Sequence, residues 1–260
     1  LGMLGNREHV YGMAHGELLI NADGDDIPLP NRVEELVKAW VEDGGKATII
    51  CCEAVIIDEK NRVLGVTHKN GSPMGALLAL KASILSYFPP VCKDAAYHAH
   101  DDLVYDLRAR MFGERLYVNK HLVLYRYGTG ESSGGQYRKR MVRGFTGVIS
   151  GMRQALIDLK GVRDVISADK YSALERYMEK EIIRHQTVLP LWISNSFRRR
   201  IAALFATKEL YIGMGNFMLS MILLLPLRIG DYVFANWNKL TKVSISNSVT
   251  IIGNSAFSGC

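Results

Sequence analysis

Apolar positions along the chain change period several times, and each change predicts an element. Leu18 to Ala22, within GELLINADGDD, is a short apolar run that ends in an acidic turn. That is the pattern of a buried strand whose carboxyl end presents carboxylates. Val33, Leu36, Val37, Trp40 and Val41 then recur at i, i+3, i+4, i+7 and i+8, which predicts an amphipathic helix. Pro30-Asn31 followed by Glu34 reads as its N-terminal cap, and Gly44-Gly45 as its stop. Residues 47–57 and 62–68 flank Asp58-Glu59-Lys60-Asn61 and predict a hairpin. Leu77 to Tyr87 is apolar at helical spacing and is closed by Phe88-Pro89-Pro90, which predicts a second helix.

Asp101 and Asp102 stand where a helix from Leu103 to Phe112 would start, with Gly113 as its stop. Arg115 to Arg126 reads as a strand or strand pair, and residues 128–135 as a Gly/Ser-rich loop. Met141, Phe145, Val148, Ile149, Met152 and Leu156 trace one face of a long helix. Two further helical segments follow near 168–187 and 196–209. Strands mixed with helices early and helices alone later predict an α/β body with a helical appendage.

Composition and charge narrow this picture. With 48% hydrophobic and 22% charged residues the chain can bury a core, which excludes disorder, collagen and coiled coil. The net charge of +6 is a modest excess that suits nucleic acid, an anionic membrane surface or a phosphate-bearing ligand. Arg138-Lys139-Arg140 and Arg143 read as the solvated face of an amphipathic helix, with no aromatic platform or zinc spacing beside them. Nucleic acid therefore ranks last. Cys51 and Cys52 are adjacent, Cys92 is isolated and Cys260 is terminal, so no C-x-x-C spacing exists and a reduced compartment is expected. The chain starts at Leu1 and stops at Cys260 in mid-motif, so a longer protein is expected at both ends.

Two acidic clusters could carry chemistry. Asp23, Asp25 and Asp26 lie within four residues at a strand end, where carboxylates repel unless a hard divalent cation holds them. An acidic surface turn is the bland reading, and the more common one. The position beyond a strand's carboxyl end favours a ligand site. Asp101 and Asp102 cap a predicted helix, which the helix dipole alone would explain. The same dipole would keep a general base ionised. His98 and His100 upstream complete H-x-H-D-D, but no further His ligand stands nearby at metal spacing.

Together the strings AHGELLINADGDDIPLPNRVEELV, PMGALLALKASILSYFPP and DDLVYDLRARMFGERLYVNKHLVLYR resemble three consecutive motifs of family-2 glycosyltransferases. The resemblance spans roughly residues 5–160. It implies an α/β, Rossmann-like GT-A fold with a mixed sheet flanked by helices, and transfer of a sugar from a nucleotide-sugar donor to a hydroxyl, most often with inversion. By that match Asp23 and Asp25 bracket the donor diphosphate through Mn2+ or Mg2+, with Asp26 beside them. Asp102 matches the catalytic base, Asp101 replaces the usual Glu before it, Gly75 lies on the acceptor side, and Arg126 matches the Y-R that closes the site. The chain lacks Q-x-x-R-W after the base, which argues against a processive polymerase, and no His follows Tyr125-Arg126. Only about 20 residues precede the acidic strand, where two or three βα units would need about 60. The implied sheet is incomplete, and activity is expected to be impaired.

Three regions follow from these readings: a partial GT-A domain over 1–160, a helical extension over 161–239 and a stub over 240–260. Leu210 to Leu227 is apolar but interrupted by Gly, Asn, Ser and Pro, and basic residues flank it. A peripheral, interfacial helix suits it better than a membrane span, with a buried packing helix equally compatible. LTKVSISNSVTIIGNSAFSGC resembles one leucine-rich repeat of the BspA type, and one repeat cannot bury its own face. The expected partners are a nucleotide-sugar donor and a glycan or lipid-linked acceptor. The expected location is the cytoplasm, peripheral on the inner face of the plasma membrane. The alternative is a repeat-bearing interaction protein with a vestigial transferase domain.

Overall fold

A computed structural model describes residues 2–67, 74–128, 137–194, 196–206, 228–229 and 251–252. In chain order these form helix α1 (Gly2–Gly12), strands β1 (Leu18–Ile20) and β2 (Ile27–Pro28), helix α2 (Arg32–Glu42) and a hairpin of β3 (Ile49–Ile57) and β4 (Val63–Val66). Strand β5 (Leu78–Lys81) follows between two 3-10 turns, then α3 (Lys93–His98), α4 (Asp101–Phe112) and β6 (Arg115–Arg126). Helices α5 (Tyr137–Gly161), α6 (Ala168–Val188), α7 (Pro190–Ile193) and α8 (Phe197–Ala206) come next, and β7 (Arg228–Ile229) pairs in parallel with β8 (Ile251–Ile252). The chain is a mixed α/β protein. It divides into two units, one of residues 1–134 with 143–185 and one of residues 135–142 with 186–260.

The first unit is built on a sheet ordered β1-β5-β3-β6-β2, with β4 also on β3. Strand β3 is parallel to β6 and antiparallel to β4 and β5. Its sequence IICCEAVII is apolar at successive positions because both of its faces are covered. Ile49 and Cys51 pack with Leu4, Ala95 and Val104 on one side, whereas Ile50, Cys52 and Ala54 pack with Leu36 on the other. A third cluster joins Leu107 and Met111 of α4 to Met152, Ala155 and Leu159 of α5 and to Leu174 and Met178 of α6.

Several sequence expectations meet their elements here. The hairpin turns at Asn61, whose φ is +60°, while Asp58 Oδ1 accepts the amides of Lys60 and Arg62 at 2.9 Å. Helix α2 stops at Gly44 and Gly45, both at positive φ, with Gly45 N donating to Trp40 O at 2.9 Å. Gly113 ends α4 for a different reason: a Cβ there would stand 2.8 Å from Thr48 Cγ2, just before β3.

Two expectations are corrected. The stretch from Leu77 to Tyr87 is a strand with 3-10 turns, not an α-helix. A short apolar run reads alike for either, and here pairing with β1 and β3 on its two edges satisfies the backbone of β5. Asn31 makes no side-chain capping bond to α2, and the apolar stripe of that helix divides. Leu36 is buried while Val33, Val37 and Val41 stand exposed.

One buried cation ties the helices together. Arg108 of α4 is 1% exposed. Its Nε and Nη2 donate to the two oxygens of Asp158 on α5 at 2.7 and 3.1 Å, and Nη1 donates to Glu8 Oε1 on α1 at 3.0 Å. Nη2 also reaches Pro89 O at 3.3 Å, and the guanidinium lies 4.9 Å from the centre of the Phe88 ring. Gln154 donates to Asp158 Oδ1 and accepts from Cys92 N.

In the second unit Leu191 and Trp192 of α7 are buried, and Arg200 of α8 donates to Leu191 O at 3.1 Å. The apolar stretch from Leu210 to Leu227, and all of 240–260 except Ile251 and Ile252, lie outside the described residues. Among the described residues no helix is long and apolar enough to cross a membrane. Removing a partner from a buried ion pair strands the other charge, which costs about 3–5 kcal/mol. Asp158→Ala is therefore expected to lower the unfolding free energy by about that amount in urea denaturation, and a loss below about 1 kcal/mol would show that Arg108 finds other compensation.

Candidate functional site

The carboxyl end of β1 continues into a turn over residues 21–26, closed by Asp26 N donating to Asp23 O at 3.2 Å. Helix α4 begins beside it with Asp101 and Asp102. Arg7 of α1 lies between them: its Nη2 is 2.9 Å from Asp23 Oδ1 and its Nε is 2.5 Å from Asp101 Oδ2. The same guanidinium reaches Gly75 O at 3.4 Å, and Asn21 Nδ2 donates to that carbonyl at 2.9 Å. Tyr11 completes the group with a hydroxyl that donates to Asn21 Oδ1. A Cβ at Gly75 would stand 3.3 Å from Arg7 Nη2 and 3.6 Å from Asp101 Oδ1, so the bare backbone lets this turn approach both charges.

The α4 terminus holds its two acids differently. Asp101 is buried and accepts the amide of Asp102 on Oδ1 at 2.9 Å. Asp102 Oδ1 accepts the amide of Leu103 at 2.7 Å. Burial, and then the adjacent negative charge of Asp101, push the Asp102 carboxyl up to about 6. Asp23 is also raised, first by burial and then by Asp101 and Asp25, with Arg7 acting against the shift.

Asp25 and Asp26 belong to a neighbouring clamp. Asp26 Oδ1 accepts the Arg126 amide at 2.7 Å, and Arg126 Nε donates to Asp25 O at 3.1 Å. Arg126 Nη1 donates to Asp58 O at 3.1 Å and to Asn61 Oδ1 at 2.8 Å. Arg126 thus pins the acidic turn to the β3–β4 hairpin. Burial raises Asp26 to about 6, with Asp25 and Asp23 adding to the shift.

The structure therefore brings Asp23, Gly75 and Asp101 together, sets Asp102 next to them, and groups Asp25 and Asp26 with Arg126. His100 is engaged elsewhere: its Nε2 lies 3.3 Å from Gly144 O, and a Cβ at Gly147 would come within 2.6 Å of it. Sequence reasoning missed Arg7, Tyr11 and Asn21. Helix α1 has three glycines and no strong apolar period, so nothing in the pattern pointed to it.

Among the described residues no three His, Cys, Asp or Glu side chains converge as a metal cage. Asp23 and Asp25 offer carboxylate oxygens on one turn, the donor type a hard cation takes, although Asp23 is already paired with Arg7. Two such carboxylates leave most of a coordination shell to a ligand's oxygens and water. Comparison of the chain with models of known protein families gives no match, and comparison with curated proteins gives no significant one.

Asp102 makes the site's charge measurable. Its folded pKa of about 6 exceeds the ordinary value of 3.8, so the folded chain holds its proton more tightly than the unfolded chain. The resulting stabilisation is complete below about pH 4 and is lost as the pH rises through 6. Asp102→Asn keeps an acceptor for the Leu103 amide but never ionises. It is expected to flatten that decline and to raise Tm at pH 7.5 while changing it little at pH 4. Thermal unfolding of both proteins between pH 4 and 8 checks this, and parallel curves would show that Asp102 titrates normally.

Proposed function

We propose that the chain is a glycosyltransferase of the family-2, GT-A kind, which moves a sugar from a nucleotide-sugar donor to a hydroxyl of a glycan or lipid-linked acceptor. The observation that carries this reading is the single guanidinium of Arg7 shared by Asp23 and Asp101. Acids far apart in the sequence, one at a strand end and one beside a prospective base, face a common point beyond the sheet. That is the arrangement transfer needs, with a charged leaving group on one side and a proton acceptor on the other.

In the proposed reaction the acceptor oxygen attacks C1 of the sugar, the bond from C1 to the diphosphate oxygen breaks, and the acceptor's proton passes to the Asp102 carboxylate. A carboxyl near 6 is ionised at neutral pH yet more basic than an ordinary one, which suits a general base. Asp101 and Asp23 hold Arg7 at the site, where its positive charge faces the region proposed for the diphosphate. Asp23 and Asp25 would hold Mn2+ or Mg2+, which when bound offsets negative charge on the leaving diphosphate. Gly75 keeps the acceptor-side turn low enough for a substrate to approach the two acids.

Release of nucleoside diphosphate from a panel of nucleotide-sugars, with Mn2+ or Mg2+ and candidate acceptors, tests the reading. Asp102→Asn is expected to lower kcat by about 10²–10⁴-fold with little change in donor KM, whereas Asp23→Asn is expected to weaken metal-dependent donor binding. Unchanged turnover in Asp102→Asn would remove Asp102 as the base. Turnover is expected to be slow, in keeping with the incomplete sheet, and the absence of both detectable turnover and metal-dependent binding of any donor would overturn the assignment.

A further inference from the structure

A second concavity lies between α1, the 3-10 turn over Ala82–Tyr87, the segment to Val91, α3 and α4, and shares only Tyr11 with the site described above. Its volume is about 720 Å³. That falls within the range of small-molecule sites, about 300–1,000 Å³. Leu85, Phe88, Pro89, Pro90 and Val91 make one wall, and α1 contributes the bare backbone of Gly5 and Gly12 opposite. Tyr97 and His9, both exposed, also line it.

The charges on its wall are already committed. Arg108 is paired with Asp158 and Glu8, and the second oxygen of Glu8 accepts the Val91 amide at 2.9 Å. Neither an anion nor a cation would find an unmatched partner in that pair. Tyr105 lies behind that wall: it is 1% exposed, and its hydroxyl is closed off from the cavity. The Tyr11 ring, which meets that of Tyr105 edge to face with centroids 4.9 Å apart, joins Phe88 and Tyr97 as aromatic lining.

We infer that this cavity binds a neutral, apolar, ring-bearing small molecule. The inference stands on the cavity alone and is independent of the transferase reading. A polypeptide helix is too large for the space, and Glu8 and Arg108 are matched to partners within the protein, which leaves the exposed His9 imidazole as the other group on the wall that can take a charge.

The glycines provide the test. A Cβ at Gly12 meets nothing within 4 Å, so Gly12→Leu fills the cavity without strain, and Ser86→Trp blocks it from an exposed position. Gly65 on β4 is equally open but distant from the cavity, which makes Gly65→Leu the matched control. The full chain is titrated with N-phenyl-1-naphthylamine, a neutral fluorophore that brightens in apolar sites, and Tm is recorded with and without it. The expected result is saturable one-site binding that raises Tm, weakened at least tenfold by Gly12→Leu and Ser86→Trp and left within twofold by Gly65→Leu. Absence of saturable binding, or equal affinity in Gly12→Leu and Gly65→Leu, would overturn the inference.

Discussion

A guanidinium taken out of water must be neutralised and hydrogen-bonded where it lies, and Arg108 does this by gathering three helices around itself. Asp158 from α5 supplies two parallel bonds, Glu8 from α1 a third, and Pro89 O a fourth. The stacked Phe88 ring covers the guanidinium. Because Glu8 is committed to Arg108, the rotation of α1 about its axis is settled. The preceding residue, Arg7, then points about 100° around the helix, at the end of β1 and the start of α4. The structural cation thus orients the one at the candidate site.

That site carries more negative charge than Arg7 can balance. Asp23, Asp101 and Asp102 crowd one guanidinium, and burial first, then the neighbouring carboxylates, raises the pKa of Asp102 and Asp23. Arg126 meanwhile secures Asp26 and the Asp25 carbonyl to the hairpin turn. The turn is therefore held at both ends, by Arg7 and by Arg126, while its carboxylates stay close together.

Elements whose pattern depends only on neighbours in the chain were legible beforehand. The β3–β4 hairpin, α2 with its Gly44-Gly45 stop, α4 starting at Asp101, β6 and the long helix α5 all follow from local period and turn chemistry. So did the two acidic clusters, because carboxylates at a strand end and at a helix start are local signals. What failed was local ambiguity. Leu78 to Lys81 carries the same apolar run for a strand as for a helix, and only its pairing with β1 and β3 separates the two. Similarly, the period of α2 marked Val33, Val37 and Val41 as inward, and the neighbouring layer covers Leu36 with Ala39 and Trp40 instead.

The sequence by itself determined which residues could be acids and bases and which segments could be strands or helices, since these depend on side-chain chemistry and short-range periodicity. It also carried the order of three motifs that resemble a transferase. Tertiary structure decided which acids meet. Arg7, Asn21 and Tyr11 became site residues only when α1 settled against α4 and β1, and that docking includes a salt bridge between Glu8 and Arg108. No local pattern encodes a contact between residues a hundred positions apart, because its energy exists only once burial has removed the water that would otherwise screen it.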